Sequence, residues 1–129
     1  MNVFLDDDRN HHDADWISVR TVPALFRVIA AHGAEIERIS FDNDLRQPEE
    51  GWEAVRDIIE RRLDDTGFLP ALKAVYVHSL NGGAVDRMIS KLENAVEHGV
   101  LDIVVERRPA YDGIYPLHRD DQRAITVFE

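Results

Sequence analysis

Short apolar runs alternate with longer amphipathic segments along most of this chain. Residues 2–5 are nearly all apolar, residues 16–21 form a second β-prone run, and residues 22–33 place apolar side chains at the spacing of one helix face. The helical pattern stops at a glycine, which is a natural helix end. The pattern therefore predicts a strand, a second strand and a helix over the first 33 residues.

Two further strand-to-helix units and one more strand follow the same plan. The periodicity predicts strands over residues 36–41 and 72–79 and helices over residues 52–63 and 84–99, the last of which ends at its own glycine. Another apolar run covers residues 100–109. The chain therefore contains five predicted strands before its C-terminal segment.

Strands that alternate with helices of this length are typical of a parallel sheet covered by helices. The strand segments are nearly continuous apolar runs, as expected for strands buried on both faces. We therefore predict an α/β fold with a doubly wound, mainly parallel five-stranded sheet in one domain, residues 1–109. Residues 110–129 are expected to form a C-terminal extension packed on this domain, with an extra strand at residues 124–128 in place of a last helix.

The amino-acid composition narrows the possible classes of chemistry. The 129 residues contain no cysteine, which excludes disulfides, thiolate metal sites and cysteine nucleophiles. The formal net charge of -10 argues against duplex nucleic acid as a partner, because neutralising a phosphate backbone requires clustered Lys and Arg. No apolar stretch has the length of a membrane helix and the N-terminus lacks the features of a signal peptide, so we expect a cytoplasmic protein with no membrane partner.

Polar and ionisable side chains follow four of the predicted strands. In chain order they are Asp6, Asp7 and Asp8; Asp42 and Asp44; His78, Ser79 and Asn81; and Arg107 and Arg108. Ligands of open α/β sheets bind beyond the carboxyl ends of the strands, which is where these residues are expected to lie. The acids are therefore predicted to converge in space although about 35 residues separate them in the chain.

Converging carboxylates indicate a metal site. Close carboxylates repel each other and raise each other's pKa, an arrangement that is usually tolerated only when a cation lies between them. Oxygen ligands with open coordination positions suit Mg²⁺ or Mn²⁺, which keep waters or phosphate oxygens in those positions. We therefore expect Mg²⁺ or Mn²⁺ as the cofactor and a small phosphorylated ligand or nucleotide as the partner.

The segments around these strand ends resemble the receiver domains of two-component signalling. They read FLDDDR, ISFDND, VYVHSLN and VVERRP. On the segments LDDDR, ISFDNDL and VHSLN the chain is more closely similar to the cyclic-phosphate processing receiver domains. The resemblance covers about residues 2–109 and implies a receiver (flavodoxin-like) fold and, for this family, an enzyme rather than a signalling relay.

The resemblance also implies roles for individual residues. Asp6 and Asp7 would be the metal-binding pair, with Asp42 as the carboxylate opposite them. Ser79 would hydrogen-bond a phosphoryl oxygen, and Arg108 would stand where a receiver has its lysine.

Several departures from the receiver pattern bear on function. Only about ten residues separate the first two strands, so the first helix is expected to be lost or reduced to a turn. Arg108 in place of lysine would be a planar, bidentate anion clamp. His78 beside Ser79 adds a group that titrates near neutral pH. Asp44 adds a carboxylate, and because the loop fits a receiver about equally well from Asp42 or from Asp44, the choice between them stays open.

The first hypothesis for function is a metal-dependent phosphoesterase. The family resemblance implies its substrate class, a cyclic phosphate on a nucleotide or RNA end, which the enzyme would open. The metal held by Asp6, Asp7 and Asp42 would polarise the phosphoryl group. His78 or Asp44 would move the proton, or Asp42 itself would act as the nucleophile.

Other polar side chains are candidates for binding the phosphorylated group. Arg108 and Ser79 would stabilise its anionic oxygens. Arg9 either pairs with an acid or contacts a substrate phosphate, and Asn81 either helps to cradle an anion or belongs to a plain turn into the next helix.

The alternative hypothesis is a stand-alone signalling receiver in which Asp42 accepts a phosphoryl group and Ser79 acts as the switch. The lost helix, the arginine and the added histidine argue against it. A degenerate receiver that only binds proteins is a third reading. Without a last helix one face of the sheet would be partly bare, so either the extension or a second copy in a homodimer is expected to cover it.

Overall fold

The computed structural model describes residues 1–109 in full and, within the C-terminal extension, the backbone of two short strands. The helices are α1 (Val22–His32), α2 (Gly51–Asp64) and α3 (Gly82–Glu97), and a 3₁₀ turn, Gly33–Glu35, follows α1. The strands are β1 (Asn2–Leu5), β2 (Asn10–His11), β3 (Trp16–Val19), β4 (Arg38–Phe41), β5 (Ala74–Val77), β6 (Val104–Arg107), β7 (Gly113–Ile114) and β8 (Val127–Phe128).

Six strands form one parallel sheet in the order β6-β5-β4-β1-β3-β8, and β2 and β7 form a separate antiparallel pair. The chain passes from β1 to β3 on one side and then crosses to β4 on the other, so the strand order reverses at β1. Reversal points of this kind are where open α/β sheets bind ligands. The predicted α/β fold with a parallel five-stranded sheet and an extra C-terminal strand is confirmed.

One face of the sheet shares a single hydrophobic core with all three helices. Successive strand residues point to opposite faces, and Val3, Phe41 and their counterparts on neighbouring strands lie on the inner one. They pack with Leu25 from α1, Val55 from α2 and Met88 from α3, all of which are fully or almost fully buried. The three helices therefore cover this face of the sheet.

Within residues 1–109 the opposite face carries no helix. Phe4 and Trp16 are buried on this side, and the loop from β1 to β3 folds over them so that the His11 ring stacks on Trp16 at 4.3 Å. This loop contains only the short strand β2 and turns. The predicted loss of the first helix is therefore confirmed, because residues 6–15 connect the two strands without one.

Local sequence signals explain where the helices begin and end. Thr21 caps α1 by accepting a hydrogen bond from the backbone N–H of Ala24, and Asn81 caps α3 in the same way. The predicted glycine end of α3 is Gly99, whose φ of +75° is the left-handed conformation that glycine adopts without strain. The strands are shorter than the apolar runs because the last residues of those runs enter caps and loops, as Thr21 does.

The C-terminal extension adds β8 beside β3, at the sheet edge opposite β6. Residues 110–112, 115–126 and 129 lie outside the described residues, so the packing of the extension on the domain stays a prediction. Among the helices that are described, none has both the length and the apolar character needed to cross a membrane.

Candidate functional site

The register of the sheet brings the residues after three strands into one row. Leu5, Phe41 and Val77 are paired across β1, β4 and β5. The ladder continues for one residue beyond the strands, because the N–H of Asp42 donates to the carbonyl of Leu5 and the N–H of His78 donates to that of Phe41, both at 2.9 Å. Residues distant in the chain therefore meet at the carboxyl edge of the sheet.

Three carboxylates converge at this edge. Asp6, Asp7 and Asp42 each offer one oxygen, and these oxygens lie within 4.8 Å of one another. Asp6 is completely buried, Asp42 is 7% exposed and Asp7 is partly exposed at the rim. We call these three residues the acidic cluster; they are the same three that the resemblance assigned to the metal.

Asp6 is held by a dense set of hydrogen bonds. Its Oδ1 accepts the backbone N–H groups of Asp8 and Arg9 at 3.1 and 2.9 Å, and its Oδ2 accepts the Arg9 guanidinium at 2.9 and 3.0 Å. Burial alone would raise the pKa of Asp6, but the hydrogen bonds from His78 and from these backbone groups, with the charge of Arg9, lower it to about 2. Arg9 thus pairs with an acid, which was one of the two roles expected for it.

Asp42 has the opposite electrostatic environment. Burial and then the negative charge of Asp6 raise the pKa of Asp42 to about 7. The hydrogen bond with the Ser79 side chain, the charge of Arg9 and the backbone N–H of Asn43 lower the pKa without offsetting those effects. Asp42 is therefore a carboxylate of the acidic cluster whose ionised form is not fully stabilised by the groups around it.

His78, directly after β5, is completely buried and forms a hydrogen bond with Asp6. Its Nε2 lies 3.1 Å from Oδ2 of Asp6, its Nδ1 lies 2.7 Å from Oγ of Ser40, and its ring stacks on Phe4 at 4.2 Å. An ionised carboxylate only accepts hydrogen bonds, so Nε2 donates to Asp6, and in the neutral ring Nδ1 accepts from the Ser40 hydroxyl. His78 therefore orients Asp6, and Ser40 orients His78.

Ser40 is a functional candidate that the sequence reasoning missed. It lies inside β4, between β1 and β5, where its short side chain leaves room for the His78 ring to cross from β5 towards β1. The available signal was a serine on the face of β4 opposite to Ile39 and Phe41, within a short strand of a parallel sheet.

Arg46 is a second residue that the sequence reasoning missed. Its guanidinium donates to the carboxylate of Asp7 and, at 3.0 Å, to that of Asp8. The side chain is 72% exposed, and its φ of +54° is unusual for a residue other than glycine. Arg46 therefore places an accessible positive charge beside the acidic cluster.

Asp44 lies at the exposed mouth of the site rather than in the cluster. Its Oδ1 accepts hydrogen bonds from the side-chain amides of Asn43 at 2.9 Å and Asn81 at 3.2 Å, which links the loops after β4 and β5. Asn81 also caps α3, and its backbone N–H donates to Oγ of Ser79 at 3.1 Å. Of the two aspartates left open by the sequence, Asp42 is therefore the one that the structure places with Asp6.

Arg108 projects along the helix-free face of the sheet. Its guanidinium pairs with Glu106 at 3.0 Å and lies 4.5 Å from the centre of the Tyr76 ring. The arginine that contacts the acidic cluster from the rim is Arg46. A contact between Arg108 and a phosphoryl group stays a prediction.

The start of α2 packs directly on the backbone that carries Asp42. The N–H of Gly51 donates to the carbonyl of Asn43 at 2.9 Å, and the N–H of Trp52 donates to the Asn43 side chain at 3.1 Å. A Cβ atom at position 51 would overlap the carbonyl oxygen of Asp42. Glycine is therefore required here for the helix to approach the site so closely.

The donor set fits a hard divalent cation. The converging atoms are carboxylate oxygens, which are the ligands that Mg²⁺ and Mn²⁺ prefer. The raised pKa of Asp42 has its cause in burial and in the charge of Asp6, and a cation held between these groups would relieve both effects. Asp6, Asp7 and Asp42 are thus the residues that would hold a metal ion.

Comparison with known families identifies the family of this chain. The sequence model of the cyclic-phosphate processing receiver domain matches residues 1–94, which include the acidic cluster, Ser40, Arg46 and His78. Neither the curated proteins nor the solved structures contain a match to the chain. Because the family match covers most of the sequence, this chain belongs to the cyclic-phosphate processing receiver domains.

Proposed function

We propose that this domain is a divalent-cation-dependent phosphoesterase that opens the ring of a cyclic nucleotide phosphate. The observation that supports the proposal most directly is the convergence of Asp6, Asp7 and Asp42 within 4.8 Å, with the pKa of Asp42 raised to about 7. A bound Mg²⁺ or Mn²⁺ would supply Lewis-acid polarisation of the phosphoryl group. In the overall reaction water adds to phosphorus, one ring P–O bond breaks and the leaving oxygen takes up a proton.

Residues around the acidic cluster would bind the phosphoryl oxygens and exchange the proton. The Arg46 side chain is 72% exposed, and its guanidinium would exchange its ion pairs with Asp7 and Asp8 for the anionic phosphoryl oxygens, which it would stabilise. Ser79 already directs its side chain at Asp42 and would position a second phosphoryl oxygen. Asp44 would exchange the proton, because it is exposed at the mouth whereas His78 is sealed in the sheet.

A phosphoacceptor receiver is the second candidate. Asp42 follows β4, the third strand of the receiver-like sheet, and forms a hydrogen bond with Ser79 in the arrangement expected of a phosphorylated aspartate and its switch residue. In that case the Asp42 carboxylate would attack phosphorus of a phosphodonor and form an acyl phosphate. The loss of the first helix and the placement of Arg46 favour the enzyme.

The test is hydrolysis of a nucleoside 2′,3′-cyclic phosphate by the full chain, with Mn²⁺ and with chelator. We expect ring-opened product only with the cation, a loss of about 100-fold or more in Asp42→Asn, and no change in Asp86→Asn, a matched charge removal on the exposed surface of α3. Arg46→Gln should lower the rate while cation binding persists. Absence of product together with stable labelling of Asp42 by a small phosphodonor would support the receiver instead.

A further inference from the structure

A second concave surface lies on the sheet face that carries no helix within residues 1–109. It encloses about 350 Å³, which falls in the range of small-molecule sites, roughly 300–1,000 Å³. We call it the helix-free pocket. Its lining residues are Asn2, His11, His12, Asp13, Trp16, Arg38, Tyr76 and Arg108.

The helix-free pocket is separate from the acidic cluster. Asn2 and Arg38 are paired at the start of β1 and β4, whereas Asp6 and Asp42 follow the ends of the same strands. Four residues of extended chain span about 13 Å. A small ligand in the pocket would therefore not displace groups from the cluster.

Aromatic rings form one side of the pocket. The Trp16 and Tyr76 rings lie 6.1 Å apart between their centres, and His11 and then His12 continue a stack from Trp16 at 4.3 Å intervals. Flat rings in this arrangement are the usual platforms for nucleobases, because every base offers an aromatic face.

Two arginines and one aspartate, Asp13, are the charged side chains of the pocket lining, so the lining carries a formal charge of +1 in a chain of net charge -10. Arg108 lies over Tyr76, and Arg38 donates to Asn2 at 3.5 Å. Their acidic neighbours are partly exposed: Glu106 lies 3.0 Å from Arg108, and Glu37 lies 4.0 Å from Arg38 while it pairs more closely, at 2.8 Å, with Lys73. Exposed ion pairs contribute little free energy, so an incoming phosphate can exchange with these carboxylates.

We propose that the helix-free pocket binds a nucleoside monophosphate, with its base against the accessible rings of Tyr76 and His12, beside the buried Trp16, and its phosphate on the guanidinium groups of Arg38 and Arg108. The pairing of aromatic and guanidinium groups within one cavity of nucleotide size is what identifies this class of ligand. The site does not depend on the chemistry proposed for the acidic cluster.

The test is a fluorescence titration of the full chain with AMP in the presence of a chelator. The chain contains two tryptophans, so a Trp52→Phe background leaves Trp16 as the reporter. We expect saturable quenching by AMP, much weaker effects of adenosine or inorganic phosphate alone, and roughly tenfold weaker binding in Arg38→Gln and in Arg108→Gln. Arg107→Gln is the matched control, because Arg107 pairs with Asp86 on α3 instead.

A third variant separates this proposal from the function proposed for the acidic cluster. Asp7→Asn should bind AMP as the parent does, even if it has lost every activity that depends on a cation. Quenching that does not saturate, AMP affinity unchanged by both pocket variants, or affinity lost in Asp7→Asn would each overturn the helix-free pocket as a nucleotide site.

Discussion

At the residue scale, the contrast between Asp6 and Asp42 determines the electrostatics of the site. Asp6 is buried but receives hydrogen bonds from His78 and from two backbone N–H groups, so its charge is stabilised. Asp42 is nearly as buried and faces that charge. Asp6 is therefore ionised, and its negative charge helps to raise the pKa of Asp42. A cation bound between the two carboxylates would lower the pKa of Asp42 again.

The raised pKa of Asp42 predicts that the metal-free protein loses stability as the pH rises. The proton is bound more tightly in the folded state, so the favourable contribution is complete below pH 3.8 and is lost as the pH passes through about 7. At ~1.4 kcal/mol per pKa unit this contribution is on the order of 4 kcal/mol. Urea denaturation with chelator from pH 4 to pH 7.5 should show the decline in the parent and a flatter profile in Asp42→Asn; equal slopes would contradict the assignment.

The Ser40 hydroxyl is predicted to stabilise the protein through His78. Ser40→Ala removes the hydroxyl that lies 2.7 Å from Nδ1 of the fully buried His78 ring, which should cost about 1–3 kcal/mol in the free energy of unfolding. Ser18→Ala is the control, because the Ser18 hydroxyl is also buried but has no hydrogen-bond partner among the described residues. If both variants lose the same free energy in chemical denaturation, the Ser40–His78–Asp6 chain has no special role.

At the element scale, the close approach of α2 to the end of β4 fixes the position of Asp42. Gly51 lies in the first turn of α2, and its Cβ position is already occupied by the backbone carbonyl of Asp42. The geometry of the acidic cluster thus depends on the close packing of α2 against the Asp42 backbone as well as on the three aspartates themselves.

Substitution of Gly51 is therefore predicted to disturb the site more than the helix. Gly51→Ala should shift the Asp42 backbone and weaken Mn²⁺ binding about tenfold or more, because neither contacting group is the flexible end of a side chain. Gly82→Ala, in the first turn of α3, has nothing within 4 Å of the added Cβ and should leave binding unchanged. Calorimetric titration of both variants provides the comparison, and equal affinities would show that Asp42 tolerates the shift.

The same elements show how far the sequence could predict the structure. The apolar runs identified every strand of the six-stranded sheet, and the helix-face spacings identified the three helices, because both follow from the local sequence pattern. The charged residues at the strand ends identified the acidic cluster, because the carboxyl ends of parallel strands meet at one edge of the sheet. Ser40 and Arg46 were missed because their roles depend on which side chains cross from a neighbouring strand or loop. The direction taken by Arg108 depends on Tyr76 and Glu106 for the same reason.

At the scale of the whole molecule, loss of the first helix divides the surface into distinct regions. The three helices and the core lie on one side of the sheet, the acidic cluster lies at its carboxyl edge, and the helix-free pocket lies on the other side. A receiver with its full set of helices would cover the side on which the pocket lies. Within residues 1–109, loss of the first helix leaves this face of the sheet without a covering helix, and the helix-free pocket lies there.

The most direct test of the central claim is a calorimetric titration of the full chain with Mn²⁺, carried out on the parent, Asp7→Asn and Asp86→Asn. Each variant removes one negative charge, but only Asp7 belongs to the acidic cluster. We expect saturable binding to the parent and to Asp86→Asn and a loss of at least about tenfold in affinity in Asp7→Asn. Equal affinities for all three proteins, or no binding to the parent, would contradict a metal site at the carboxyl edge of this sheet.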